Sequence, residues 1–209
     1  MRVIVAGIDP SLTNTGVAAL RNGRPVLLDS IGHPNHNVKD WDNRVRRITS
    51  EATAVMLRIH DCVGVPDLTA VEEPLMFVAK SADSYDRYAL FVKIIEQLLF
   101  WNAPYAVVNN QTRARWATGY GSSAKRSAAD PTGSTKRRDV KVEVLEAVRR
   151  TWAPWKHHIK DDNQADALTM SEMCARRLDE PLHFRIRLHQ VEALHTSIKW
   201  FDKPVGAAR

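Results

Sequence analysis

The sequence predicts an α/β domain on a mixed central sheet, three antiparallel strands followed by two parallel ones, flanked by helices. Three observations carry that expectation. An apolar, β-branched run at residues 2–8 leads into a hairpin, helices and strands alternate over 41–108, and two more helical patterns follow at 138–152 and 164–177. Such alternation builds parallel strand pairs. At 209 residues, 44% of them hydrophobic, the chain is long enough for one well-packed core and short for two.

In order, residues 2–8, with Gly7 and then Pro10 closing the run, read as a buried strand. Residues 17–20 and 25–28 form a hairpin around Asn22-Gly23, a pair that readily takes the positive φ angles of a tight turn. Over 41–61, Trp41, Val45, Ile48, Ala52, Val55, Met56 and Ile59 recur at three- and four-residue steps, which is an amphipathic helix with Arg44, Arg46 and Arg47 on its outer side. A strand is expected at Leu68–Glu72, a helix over 82–101 and a parallel strand at Tyr105–Val108. The 82–101 helix carries Leu90, Phe91, Ile94, Ile95, Leu98, Leu99 and Phe100, apolar around too much of its circumference for one buried face. Part of it is expected to meet a second subunit.

Residues 119–135, rich in Gly, Ser and Ala, read as a mobile loop inside the domain. After the last two helices the domain is expected to end near residue 178, leaving a basic extension at 179–209. There Leu182, Phe184, Ile186 and Leu188 alternate like a strand, while Ile186, Val191, Leu194 and Ile198 could form a helical face.

Net charge of +6 and a pI near 9.5 favour a polyanionic partner, though charge balance alone does not choose among nucleic acid, an anionic membrane and simple solubility. Cys62 and Cys174 lack Cys or His neighbours at zinc-like spacing and are expected to be reduced and buried. The chain enters a strand without a signal-like leader, and no apolar run reaches the length of a spanning helix. A soluble, cytoplasmic protein with no membrane partner is expected.

The informative chemistry is a set of acids. Asp9 ends the first strand at Pro10, and Glu72 ends the strand that begins at Leu68. Parallel neighbours lie about 4.8 Å apart, close enough for two such carboxylates to share ions. Asp162 and Asp166 are four residues apart at a helix start, which places them on one face. Oxygen ligands without Cys or His suit Mg²⁺ or Mn²⁺ rather than zinc. Any one such acid could simply answer a helix dipole or be solvated. Asp9, Glu72, Asp162 and Asp166 in this order in one α/β domain point instead to a metal site for phosphodiester hydrolysis.

Positive charge concentrates in Arg113, Arg115, Lys125, Arg126, Lys136, Arg137, Arg138 and Lys141, with few acids among them, a pattern that suits phosphate contacts.

At this point the chain resembles the RuvC-like Holliday-junction resolvases of the RNase H-like superfamily. The matching stretches, in the family's order, are Gly7-Ile8-Asp9-Pro10-Ser11 with Thr15-Gly16, Ala70-Val71-Glu72, the segment 78–84, Gly119-Tyr120-Gly121-Ser122 and Ala165-Asp166-Ala167-Leu168. They cover residues 1 to about 178, and the length and loop insertion look like the compact phage-encoded branch. The resemblance implies an RNase H-like fold and a Mg²⁺-dependent endodeoxyribonuclease, with Mn²⁺ as substitute and two ions per site. It further implies paired symmetric nicks in four-way DNA junctions by a homodimer, in the bacterial host's cytoplasm if phage-encoded.

Carried over by residue, the resemblance makes Asp9, Glu72 and Asp166 metal ligands. The family often has an acid or His three residues before the last Asp, where this chain has Asn163. Asp162 is the favoured fourth ligand, with Asn163 and Asp161 as open alternatives, and Glu73 points to the other side of its strand. Arg113 and one of Lys136 or Arg137 are implied near the scissile phosphate. Phe77 stands where relatives carry an aromatic that enters the junction core, though two extra residues separate it from Glu72. Lys80, in the adjoining match, joins the expected DNA contacts. The rival readings are a nuclease for forks, flaps or RNA–DNA hybrids, and a junction-binding protein without catalysis. An actin-like ATPase, which the first motif alone also suggests, is disfavoured because one domain of this length cannot form two nucleotide-clasping lobes.

Overall fold

The computed structural model describes residues 2–32, 40–74, 82–119, 134–195 and 198–201, with the side chains of 82–83 and 134–140 outside the description. The first strand, β1 (Ile4–Asp9), turns into β2 (Thr15–Arg21) and β3 (Arg24–Ile31). Asn22 (φ 51°) and Gly23 (φ 68°) make the expected tight turn between the latter two. Helix α1 (Trp41–Val63) starts where the Asp40 carboxylate accepts the Asn43 amide and stops at Gly64, φ 81°. Then come β4 (Leu68–Glu72), α2 (Ala82–Phe100), β5 (Tyr105–Val108), α3 (Asn110–Thr118), α4 (Ser134–Thr151), a 3₁₀ turn at Ala153–Trp155 and α5 (Asp162–Arg177). The last described elements are α6 (Leu188–Leu194) and β6 (Lys199–Phe201).

The sheet order is β3-β2-β1-β4-β5-β6. The β1–β4 and β4–β5 pairs are parallel and the other three antiparallel. The expected five strands are therefore joined by a sixth, contributed by the segment after Asp179. That segment is neither one strand nor one helical face. Leu182, Phe184 and Ile186 pack against the core, and the helix begins only at Leu188. The 82–101 and 138–152 helices are present, the latter starting earlier, at Ser134. Helix α3 occupies a stretch for which periodicity gave no helix.

Two apolar layers cover the sheet. On one face α3, α4, α5 and the C-terminal segment enclose Trp116, Trp152, Ile159, Leu168 and Met170; on the other α1 and α2 enclose Ile48, Met56, Ile59, Leu90, Ile94 and Leu98. Cys174 is buried in the first layer, and Cys62 is only half-buried, its thiol donating to the Val26 carbonyl at 3.5 Å. No helix among the described residues is long and apolar enough to cross a membrane.

The feature that places the site is the approach of α5 to β1 and β2. A Cβ at Gly7 would lie 2.0 Å from the Ala167 carbonyl oxygen, and one at Gly16 would lie 2.1 Å from that of Asn163. Backbone therefore lies on backbone, and the start of α5 is pressed onto the strand that ends in Asp9.

Candidate active site

Parallel pairing of β1 and β4 brings Asp9 and Glu72 to neighbouring strand ends. Asp166 lies one turn into α5 and reaches the same point. A ligand oxygen from each of the three lies within 4.8 Å of the others. They open into a cleft also lined by Ser11, Arg87, Asn110, Arg113, Lys141 and Asn163.

Helix α3 starts directly after β5, capped by the Asn109 side chain accepting the Thr112 amide at 2.8 Å. This aims Arg113 back over the acids. Its Nε lies 3.3 Å from Glu72 Oε2 and its Nη1 contacts Asp166 Oδ1. Its Nη2 donates to Asn110 at 3.2 Å. The contacts with the acids are ionic rather than hydrogen-bonded, because Arg113 Nε and Nη1 and Asp166 Oδ1 are all buried without a hydrogen-bond partner. Desolvation, then the charge of Glu72 and a hydrogen bond between the two carboxyls, push Asp9 well above the ordinary carboxylate range, against the pull of Arg113 and Lys141.

The donor set fits a divalent cation. Asp9, Glu72 and Asp166 each offer a carboxylate oxygen within 4.8 Å of the others, a crowd of negative charge that hard oxygen-seeking cations relieve.

The three candidate fourth ligands at the start of α5, Asp161, Asp162 and Asn163, have separate surroundings. Asp161 is the helix cap: Oδ1 accepts the Gln164 amide at 2.8 Å, and Oδ2 accepts from Ser30 at 3.0 Å and Asn14 at 3.2 Å. Asp162 is ion-paired with Lys141 and is not one of the clustered trio. Asn163 lines the cleft. Successive helical residues turn by about 100°, so the three cannot share one task.

Arg113 and Arg115 diverge for the same reason. The second leaves the cleft and pairs with Glu192 of α6 at 2.9 Å. Phe77, Lys80, Lys125 and Arg126 lie outside the described residues, as do the side chains of Lys136, Arg137 and Arg138 on the first turns of α4. Glu73 also lines the cleft but is not one of the clustered trio, its carboxylate pairing with Lys199 of β6 at 3.0 Å. Sequence reasoning did not anticipate Ser11, Arg87 and Asn110 as cleft walls, nor Lys141 as the cation beside Asp162. Only Asn110 carried a signal, two residues past a strand end that pairs with Glu72.

Behind the cleft, Glu172 of α5 is fully buried and accepts from two indoles, Trp116 Nε1 of α3 at 2.6 Å and Trp152 Nε1 at the end of α4. This carboxylate ties together the three helices that carry Arg113, Lys141 and Asp166.

No protein-family model matches the sequence, and no curated protein matches it. Among solved structures, the chain is similar to RuvC of Thermus thermophilus, with a TM-score of 0.52 at 18% identity over 85% of this chain and 98% of that one. It is also similar to T. thermophilus RuvC in complex with Holliday junction substrate, with a TM-score of 0.51 at 18% identity over 81% of this chain and 90% of that one. The likeness is one of architecture: the chain has the RNase H-like fold of those RuvC structures.

Proposed function

We propose that the chain is a divalent-metal-dependent endonuclease that resolves Holliday junctions by paired symmetric nicks. The observation that carries this reading is the convergence of Asp9, Glu72 and Asp166, from two parallel strand ends and a helix pressed onto them, in a cleft walled by Arg87, Arg113 and Lys141. The similar RuvC structure that holds a Holliday junction supports the choice of substrate.

Asp9, Glu72 and Asp166 would hold Mg²⁺, or Mn²⁺ in its place, two ions per site. When bound, the ions supply activation of water at neutral pH and stabilisation of the leaving 3′ oxygen. The chain's own groups do the rest. Arg113, freed from neutralising Glu72 and Asp166, can turn its guanidinium to the scissile phosphate, with Arg87 and Lys141 on the same wall. The products would carry 5′ phosphate and 3′ hydroxyl. Asn163 lines the cleft and is the better placed fourth oxygen donor; Asp162, beside it, becomes one if its pairing with Lys141 yields. Phe77 and the loop bases Lys80, Lys125, Arg126, Lys136, Arg137 and Arg138 would contact the junction.

Two sites acting on two strands need two subunits. Along α2, Tyr85, Tyr88, Val92 and Leu99 fall within one narrow stripe, all exposed, while Leu90, Ile94 and Leu98 on the opposite side are fully buried. That unpartnered stripe supports a homodimer through α2. The length and the 119–135 insertion favour the phage-encoded branch, acting in a bacterial host's cytoplasm.

The test is cleavage by the purified protein with Mg²⁺ of a mobile four-way junction, a replication fork and an RNA–DNA hybrid under one salt condition. The junction should be cut fastest, at paired positions. Asp9→Asn and Asp166→Asn should bind it undiminished and cut it roughly a thousandfold slower. Full activity in either variant rejects the metal assignment, and faster cutting of the fork or hybrid rejects the junction.

A further inference from the structure

At the far end of α3 from the acidic cleft lies a second, larger depression, a groove of about 600 Å³ formed by the ends of α3 and α4 and the segment that leads into α6. Its charged walls are Arg150, Arg185 and Arg187, with His189 beside them, and no acidic residue lines it. We propose that this groove holds the phosphate backbone of a DNA duplex arm, a second nucleic-acid contact outside the catalytic cleft. The inference rests on the reading of the protein as a nuclease for branched DNA.

The groove is built by the same alternation that suggested a strand in the sequence. After a bend at 183–184 the chain runs through Arg185, Ile186 and an extended Arg187, with Phe184 and Ile186 partly buried against the apolar layer and Arg185 and Arg187 exposed. Alternate residues of an extended chain lie roughly 6.6 Å apart on one side, so the two guanidiniums can meet successive phosphates of one strand. The segment is fastened at both ends. His183 packs on Trp152 at a centroid distance of 4.0 Å and its Nε2 lies 2.9 Å from the Thr151 carbonyl, while His189 Nε2 lies 3.3 Å from the Trp116 carbonyl at the end of α3. The backbone that carries the two arginines is thus fastened before any ligand arrives. Glu146 shares Arg150 only through an exposed contact of 3.7 Å, too weak to neutralise the wall.

Position supports a DNA arm over a smaller anion. Ala117 of the groove follows Arg113 of the cleft by one turn of the same helix, about 6 Å along its axis. A strand advances about 3.4 Å per nucleotide, so the groove lies within a few nucleotides of the cut. An acidic protein surface is the rival occupant.

The experiment compares the full chain with R185A/R187A and with the charge-preserving R185K/R187K, all in EDTA so that binding is read without cleavage. Dissociation constants are measured against salt on a junction with long arms, on one with arms cut back to a few base pairs, and on linear duplex. On long arms the alanine pair should bind roughly tenfold more weakly, and its slope of log affinity on log salt should be shallower by about 2, the lysine pair keeping the wild-type slope. On the shortened arms, which still reach a groove this near the cut, the same order of affinities should hold. Equal slopes for wild type and the alanine pair on long arms overturn the proposal and leave the groove to a protein partner. A wild type that binds linear duplex as tightly as the junction would count against the nuclease reading alone, since the slope difference on duplex still judges the groove.

Discussion

On one face of the sheet α5 lies backbone to backbone on β1 and β2, through Gly7 and Gly16, while on the other α1 and α2 meet the strands through ordinary branched and aliphatic side chains. The first face gathers the acids, the three helices joined at Glu172 and the basic groove. The second carries no part of the cleft but Arg87 and leaves an apolar stripe outside. Close backbone contact fixes a helix to a fraction of an ångström, which is what carboxylates that must share ions require. Side-chain packing tolerates small shifts and suits a face proposed to meet a second subunit.

The largest expected difference comes from adding one methyl group on each side. Gly7→Ala would push Cβ into the backbone of Ala167 and Ser171, so α5 must move and take Asp166 with it. A loss of about 3 kcal/mol or more in denaturant unfolding is expected, with loss of cleavage. Gly64→Ala, at the end of α1, meets nothing within 4 Å and suffers only from its φ of 81°, for a loss of about 1 kcal/mol. Equal losses would erase the contrast between the faces.

Each face also buries one carboxyl that burial pushes up to about 7. Glu172 keeps both oxygens on indole donors, whereas Glu51 of α1 holds only the Thr15 hydroxyl at 3.3 Å, and its second oxygen has no partner. Because both folded values lie above the ordinary carboxylate value of 4.5, their stabilising contribution is complete below pH 4.5 and disappears as pH rises through about 7. Stability should therefore fall between pH 5 and pH 8. Glu172→Gln sets an amide N–H₂ against an indole N–H and should cost about 1–3 kcal/mol at either pH. Glu51→Gln should leave the protein at least as stable as wild type at pH 8 and flatten the pH dependence. Urea titrations at the two pH values check both, and a Glu172→Gln protein as stable as wild type would mean the indoles do not brace the helices.

Val92→Glu with Leu99→Glu should change monomer stability least, within about 0.5 kcal/mol, because both side chains are exposed. The effect belongs in sedimentation, as a shift from dimer to monomer, with junction nicks becoming unpaired. A dimer that survives both charges places the subunit contact elsewhere.

What the sequence disclosed was local. Asn22-Gly23 specified its own turn, and Leu68–Glu72 and Tyr105–Val108 were bounded by the pattern of their own side chains. Asp9, Glu72 and Asp166 were legible because each terminates or begins such an element. The part that could not be read was decided by partners distant in sequence. Asp161 caps α5 locally, but its second oxygen is taken by Ser30 and Asn14 from β3 and the β1–β2 turn, and Lys141 met Asp162 only after α4 docked beside α5. Beyond Asp179 the alternation of apolar residues was real, but it marks a strap whose inward side chains join the core without strand pairing. The three residues of β6 are a strand only because β5 is there to pair with them.

That last strand has a bearing on handling the protein. Tyr105, Ala106 and Val107 of β5 would otherwise end the sheet in a row of unpaired N–H and C=O groups; instead Phe201, Trp200 and Lys199 lie across them, with Phe201 stacked on Tyr105 at 4.8 Å. A bare hydrophobic edge is a template for joining copies end on. Trimming the chain to its family-like portion would thus expose a seam for aggregation, and the C-terminal segment serves as its guard as well as its basic surface.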